Sequence, residues 1–271
     1  MIGHTESFKN LKKEQQRILD FTVLVCYAVP NLKKSIKGFK EKVTNYENLA
    51  KPDYFKETAD IGRLESLSGK YKENLSKYTL LSAFSFFESY FRDVVEELIQ
   101  FHGGKDEFIE TVKNRHQSLL QNQNATVLES KRKLNEPLKR KNWQRYQKHI
   151  EILDQEPSYR YPSELLATYG LKYFIESVIG KGFKSVMIPE ILEYGLGFDM
   201  SEKVNQHPDI IDKDLKETFD IMRDLRNSIG HGNSNTIGFE KVMDLIRFLR
   251  HFSLKIDEHL ATHFFVLERS K

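Results

Sequence analysis

Residues 71–101 read YKENLSKYTLLSAFSFFESYFRDVVEELIQF, and this stretch decides the fold. Its apolar side chains recur every three or four residues, which is the spacing of one face of an α-helix. The recurring positions, which include one carboxylate, are Leu81, Phe84, Glu88, Phe91, Val95 and Leu98. Gly103 and Gly104 follow, and glycine pairs commonly end helices. We therefore predict a long helix over 71–101.

The rest of the chain has the same helical character. Of its 271 residues 39% are hydrophobic and 30% charged, with 7 prolines and 14 glycines. So few helix breakers, without strand-like alternation, favour an all-α fold. We predict further helices over about 6–29, 33–49, 163–179, 185–195, 212–229 and 236–268, with Pro30 ending the first of them.

Charge and cysteine content restrict the class of protein. The formal net charge of +3 is mildly basic, which allows a nucleic-acid partner without requiring one. Cys26 is the single cysteine, so no disulfide can form within the chain. The apolar run 18–29 is too short to span a bilayer. We expect a cytoplasmic protein with no membrane association.

One motif contains residue types that are suited to catalysis. It consists of Arg226 and Asn227, followed by His231 and Gly232, at the end of the helix predicted over 212–229. Histidine can take or give a proton near neutral pH. Arginine can hold a phosphate and stabilise its growing charge, and asparagine can orient either partner. Because RNA supplies its own nucleophile, the 2′-hydroxyl, this trio suits RNA cleavage without a metal.

A purely structural interpretation of this motif remains open. Arg226 could pair with an acidic neighbour on its own helix (Glu217, Asp220 or Asp224), and Asn227 could cap the helix end. The glycines at 230 and 232 could be ordinary C-cap residues.

The segment 225–232, Leu-Arg-Asn-Ser-Ile-Gly-His-Gly, resembles the Arg-x4–6-His motif of the HEPN superfamily. Residues 78–99, with Phe-Glu-Ser-Tyr at 87–90, resemble an earlier HEPN helix, and the likeness spans roughly 71–265. It is closest to HEPN proteins found beside bacterial defence and toxin systems. The resemblance implies an antiparallel helical bundle that dimerises around a composite cleft. It also implies a metal-free endoribonuclease that leaves a 2′,3′-cyclic phosphate.

The domain organisation follows from this resemblance. We expect an N-terminal helical segment over 1–70, packed on a HEPN-like domain over 71–271 that carries a basic insertion at about 105–160. Glu88 lies in an apolar helix face, where a carboxylate needs a partner. It is expected to reach Arg226, Asn227 or His231 and position one of them, or else to form a structural ion pair elsewhere.

The basic insertion is a candidate RNA-binding surface. Residues 111–148 contain ten lysines and arginines against two acids. Cations follow phosphates and aromatic rings stack on unpaired bases, although such a run can equally be a solvated helix face. The candidate RNA-binding residues are Lys131, Arg132, Lys133, Lys139, Arg140, Lys141, Trp143 and Arg145.

The sequence thus favours a metal-independent endoribonuclease, a toxin or anti-phage effector, with catalytic residues Arg226, Asn227, His231 and Glu88. Its expected partners are RNA, a second copy of itself, and an antitoxin or defence-system protein. No cofactor or metal is expected: His259 and His263 have a zinc-like spacing, but no carboxylate completes the pattern. The alternatives are a non-catalytic HEPN-like module that binds RNA or protein, and a helical scaffold.

Overall fold

The computed structural model describes residues 3–43, 61–104, 106–108, 110, 129–130, 133, 183–204, 213–232 and 237–266. Three helices precede the insertion: α1 (Glu6–Lys40), α2 (Ile61–Gly69) and α3 (Tyr71–Phe101). The segment α4 is a 3-10 turn (Ser185–Met187), an α turn (Ile188–Glu190) and a π turn (Ile191–Gly195) in succession. Two further helices follow, α5 (Leu215–Gly230) and α6 (Phe239–His263).

The predicted all-α fold is confirmed. Within the described ranges the β pairing consists of one isolated antiparallel bridge, between Lys203 and Asp214. That bridge joins the segment after α4 to the start of α5, and it builds no sheet. No helix in the described part of the chain is both long enough and apolar enough to cross a membrane.

The central helix is α3, and its bounds are those predicted. It packs against α1, α5 and α6, and Phe84, Phe91, Val95 and Leu98 of the predicted apolar face are buried. The helix ends at the predicted glycines. Gly103 and Gly104 both have positive φ, of 95° and 96°, and the N–H of Gly104 donates to the carbonyl of Ile99 at 3.0 Å.

Four aromatic rings join α3 to α5 and α6. Phe219 of α5 lies 5.6 Å from Phe84 and 5.8 Å from Phe87 between ring centroids. Phe252 of α6 lies 5.6 Å from Phe87 and 5.8 Å from Phe219. All four are fully buried, and each buried phenylalanine stabilises a fold by about 1.5–3 kcal/mol. The cluster therefore fixes how α5 lies on α3.

The prediction that Pro30 ends the first helix is wrong. α1 continues through Pro30 to Lys40. A proline in a helix loses one backbone hydrogen bond and strains the preceding turn, but packing on both sides of Pro30 opposes this cost. Thr22 before it and Ile36 after it are both buried, and the Oγ1 atoms of Thr22 and Thr79 are 3.4 Å apart. The separate basic helix predicted over 33–49 does not form as a helix of its own, because residues 33–40 are the last part of α1. Residues 44–49 lie outside the described residues.

The other helix predictions hold apart from their ends. α5 begins three residues later than predicted, because Asp214 caps it by accepting the N–H of Glu217 at 2.7 Å. α6 is shorter than predicted at its C-terminal end, since it gives way to a turn after His263. The irregular segment α4 occupies the predicted 185–195. The helix predicted at 163–179 lies outside the described residues.

The start of α1 is tied to α6 by a buried carboxylate. Asp257 of α6 is fully buried, and it accepts hydrogen bonds from the hydroxyl of Thr5 at 2.5 Å and from its backbone N–H at 3.2 Å. His4 Nδ1 lies 2.7 Å from the other carboxylate oxygen. Thr5 is itself the N-cap of α1, so this contact connects the first turn of α1 to the bundle.

Replacing Asp257 with alanine is expected to lower the free energy of unfolding by about 3 kcal/mol, because two buried donors of Thr5 lose their acceptor. Urea unfolding followed by circular dichroism measures the change. The matched control is Glu258→Ala, at the exposed neighbouring position, which should change stability by less than about 0.5 kcal/mol. Equal effects of the two substitutions would contradict an anchoring role for Asp257.

Candidate active site

The end of α5 presents the Arg-Asn-x-x-x-His motif. The helix buries Leu215, Phe219 and Met222 against the bundle, and Leu225 and Ile229 in its last turns are only partly buried at the edge of the core. The backbone N–H of His231, the C-cap residue, donates to the carbonyl of Asn227 at 2.9 Å. Gly232 follows with φ of 78°, and its N–H donates to the carbonyl of Ile229 at 3.0 Å. The chain therefore turns away immediately after the histidine.

Arg226 is held by two neighbours. Its Nη2 donates to Glu88 Oε2 of α3 at 3.1 Å, and its Nη1 donates to Asn227 Oδ1 at 3.0 Å. The guanidinium carbon lies 5.7 Å from the ring centroid of Phe84. The side chain of Arg226 is 31% exposed and that of Glu88 19%, so the ion pair is largely but not fully withdrawn from water.

This arrangement excludes the purely helical pairing of Arg226. It is Arg223 that pairs with Asp220 at 2.6 Å and with Asp224 at 2.9 Å. The carboxyl of Asp220 is partly buried, which raises its pKa, while the cation of Arg223 opposes that rise. The amide oxygen of Asn227 serves Arg226 rather than the helix end. Arg226 is thus oriented across two helices.

The guanidinium keeps donors for an anion. Arginine has five N–H donors, and two of them are used by Glu88 and Asn227. The Nε donor is buried and has no hydrogen-bond partner within the described residues. Because Glu88 and Asn227 each use one hydrogen of a different Nη, each Nη retains one hydrogen that no other described residue engages. Two hydrogens on neighbouring nitrogens are what bidentate binding of a phosphate requires.

His231 is exposed at the end of α5. Within the described residues no hydrogen bond engages its imidazole, so the ring is available to a substrate. It shares a helix face with Asn227, four residues earlier. The structure thus brings Glu88, Arg226 and Asn227 together as expected and leaves His231 one turn beyond them, at the open end of the motif.

Comparison with known proteins identifies the family of this chain. A family model described as RiboL-PSP-HEPN matches residues 51–262, which is more than three quarters of the chain. The chain belongs to the RiboL-PSP-HEPN family. No curated protein and no solved structure gave a significant match.

The family match gives the motif its context. It covers α2 to α5 and nearly all of α6, and therefore both Glu88 and the 226–232 segment. The match begins at 51, whereas the resemblance read from the motifs begins at about 71, so α2 falls within the family region and α1 precedes it. HEPN membership supports an RNA-related helical module, and the expected HEPN resemblance is confirmed.

A pocket of about 320 Å³ opens beside Glu88. Among the described residues, it is lined by Glu88 and Arg92 of α3 and by Phe183, Lys184 and Ser185, where the chain enters α4. Sequence reasoning did not identify the last four of these residues. Arg92 lies one helical turn after Glu88, and that spacing could have indicated it. Residues 183–185 are almost a hundred positions away, and the sequence holds no signal that joins them to α3.

The histidines at the end of α6 have structural contacts. His259 Nε2 lies 2.8 Å from the carbonyl oxygen of Leu196, and its ring meets Phe198 edge-on at 5.4 Å. Burial lowers the pKa of His259. Among the described residues no group of three or more His, Cys, Asp or Glu side chains is placed to hold a metal ion.

Most of the candidate RNA-binding run lies outside the described residues, namely Lys131, Arg132, Lys139, Arg140, Lys141, Trp143 and Arg145. Lys133 is described, and it is half-buried in a helical position. The proposed RNA contact of this run therefore stays a prediction.

The Glu88–Arg226 pair should show energetic coupling in a double-mutant cycle. Glu88→Ala and Arg226→Ala are expected to be non-additive by about 1–2 kcal/mol in the free energy of unfolding, since each single change leaves the other charge largely buried. Asp224→Ala is the matched control, because Arg223 pairs with that carboxylate. It should be additive with Arg226→Ala to within about 0.5 kcal/mol. Additivity of Glu88→Ala with Arg226→Ala would contradict the pairing.

Proposed function

We propose that this HEPN protein is a metal-independent endoribonuclease that cleaves RNA through attack of the 2′-hydroxyl on the adjacent phosphate. The observation that carries the proposal is the position of Arg226. Glu88 and Asn227 hold it from two sides, while one hydrogen on each Nη has no partner among the described residues, and the exposed His231 follows at the helix end. A fixed cation can stabilise the charge that develops on the phosphate, and an available imidazole can act as the base.

The proposed chemistry divides between two side chains. The neutral imidazole of His231 takes the proton of the 2′-hydroxyl as that oxygen forms a bond to phosphorus. The bond from phosphorus to the 5′-oxygen breaks, and that oxygen receives a proton. Arg226 stabilises the negative charge that grows on the non-bridging phosphate oxygens. The products are a 2′,3′-cyclic phosphate and a 5′-hydroxyl end.

Glu88 and Asn227 act in this proposal by positioning Arg226. An arginine side chain loses much conformational freedom when it is held in one orientation. Here two hydrogen bonds fix the guanidinium before the substrate arrives. A preorganised charge costs no rearrangement during the reaction, and this is why such groups lower barriers effectively.

The same chemistry favours a homodimer. The reaction needs a base at the 2′-hydroxyl and an acid at the leaving oxygen, whereas one motif supplies one histidine. An isologous interface places two identical surfaces against each other. We therefore propose a two-fold axis near His231, so that two motifs form one composite cleft.

The basic run and the cellular role complete the proposal. Lys131 to Arg145 would hold the RNA strand electrostatically. Such an RNA-cleaving activity fits a toxin or an anti-phage effector, restrained by an antitoxin or another defence-system protein. The resemblance of the motif to those of HEPN proteins in such systems supports this role.

Removing the imidazole tests the cleavage proposal. His231→Ala is expected to abolish RNA cleavage without changing helicity or dimerisation. Arg226→Ala should lower the rate by about 10²–10³-fold, which is the typical cost of removing one preorganised donor to the developing charge. Incubation with total RNA in the presence of EDTA, resolved by gel electrophoresis, measures both effects, and EDTA should not slow the wild type.

Two control variants make this test specific. His263→Ala removes an exposed histidine of α6, and Arg223→Ala removes an arginine one turn before Arg226 on α5. Both should retain wild-type cleavage. If the His231→Ala protein cuts at the wild-type rate, this site is not a ribonuclease site, and a HEPN module that only binds RNA or protein becomes the better interpretation.

Mixing variants tests the composite cleft. Wild-type and His231→Ala chains are unfolded together, refolded, and assayed at a fixed total concentration. If one cleft requires both histidines, mixed dimers are inactive, and an equal mixture should retain about one quarter of the wild-type activity. If each chain cuts independently, it should retain about one half. A linear dependence on the wild-type fraction would contradict the shared site.

A further inference from the structure

The pocket beside Glu88 has no part in the proposed cleavage chemistry. It lies between α3 and the residues that open α4, and its volume of about 320 Å³ is at the lower end of the range for small-ligand sites. Neither Arg226 nor His231 lines it. Glu88 connects it to the motif, because this carboxylate lines the pocket while its Oε2 accepts a hydrogen bond from Arg226.

Among the described residues, two cations border this pocket. Arg92 and Lys184 are both exposed, and within the described ranges neither forms a salt bridge with a carboxylate. Arg92 makes a long contact of 3.5 Å with the hydroxyl of Ser89 on its own helix. The negative charge of Glu88 is already matched by Arg226. The positive charges of Arg92 and Lys184 can therefore attract an anion to the pocket.

One wall of the pocket is aromatic and fixed in place. The ring of Phe183 stacks on the buried Phe91 of α3, with 5.9 Å between centroids and 20° between planes. Phe183 is half-buried, so part of its ring remains available to a ligand. Stacking of a base on such a ring stabilises single-stranded nucleic acid complexes by about 1–3 kcal/mol per base, largely without regard to sequence.

The pocket lies about one nucleotide step along α3 from the residues that Arg226 contacts. Phe84, Glu88 and Arg92 follow one another on a single face of α3 at successive turns. Arg226 lies over the first two of these residues. Arg92 lies about 6 Å from Glu88 along the helix axis, which is similar to the distance between successive nucleotides in a strand.

We propose that this pocket is the subsite for the nucleotide next to the scissile phosphate in single-stranded RNA. Arg92 and Lys184 bind its phosphate, and Phe183 contacts its base. The second carboxylate oxygen of Glu88 accepts a hydrogen bond from a sugar hydroxyl. The assignment to cleavage rests on the proposed endoribonuclease function, whereas the binding of a nucleotide does not.

Binding is tested with a ligand that cannot be cut. A mixed-sequence single-stranded oligonucleotide with 2′-fluoro groups throughout lacks the attacking hydroxyl. The double variant Arg92→Ala/Lys184→Ala is expected to bind it more weakly, and the slope of log affinity against log salt should fall by about 0.7 for each phosphate that the variant no longer neutralises. Fluorescence anisotropy at several salt concentrations measures this slope.

A double variant of equal charge serves as control. Arg63→Ala/Lys72→Ala removes one exposed arginine from α2 and one exposed lysine from the first turn of α3. Lys72 lies about 30 Å along α3 from Arg92. This control should leave the salt slope unchanged. An equal decrease of the slope in both double variants would overturn the subsite, because it would show only the effect of net charge.

Cleavage assays separate this inference from the proposed function. With RNA, the Arg92→Ala/Lys184→Ala protein should show a raised KM and a kcat close to that of the wild type. If cleavage depends on His231 but neither the KM nor the salt slope responds to this variant, the subsite is wrong and the endoribonuclease stands. If the wild type cuts no RNA but the slope falls in this variant alone, the subsite stands and the endoribonuclease is wrong.

Discussion

The packing of Phe84 and Phe87 against Phe219 and Phe252 is the constraint on which the rest of the structure depends. These rings fix α5 and α6 on one face of α3, and each fully buried ring contributes about 1.5–3 kcal/mol to the stability of the fold. Glu88 follows Phe84 by one helical turn, and Arg226 follows Phe219 by about two. The aromatic cluster therefore determines that this carboxylate and this guanidinium meet.

The ion pair itself orients Arg226 more than it stabilises the fold. Two partly buried charges gain little net free energy over a hydrophobic pair, because their desolvation opposes their attraction. Its consequence is orientation: Arg226 is directed across to α3, although acidic side chains lie on its own helix. Arg223, about one turn earlier on α5, pairs with Asp220 and Asp224 instead. Two arginines of the same helix therefore have partners on different helices.

The bundle also shows how an N-terminal helix is added to a family domain. The family match begins after α1, yet α1 packs along α3 and its N-cap Thr5 contacts the buried Asp257 of α6. Glu97 of α3 accepts backbone hydrogen bonds from Glu6 and Ser7, both at 2.9 Å. Two carboxylates at the positive end of a helix are electrostatically favourable. Charge and packing together hold α1 against the domain.

Local pattern in the sequence predicted the bounds of α3 and its apolar face, the approximate positions of α5 and α6, and the Arg-Asn-x-x-x-His motif, because spacing and glycines act within a few residues. It misjudged Pro30, since a local rule could not weigh packing on both sides of the proline. It left the partner of Arg226 open between its own helix and Glu88. Only the tertiary structure decided that choice and brought Phe183 and Lys184 to Arg92, because contacts between distant segments depend on how helices pack, which no local pattern encodes.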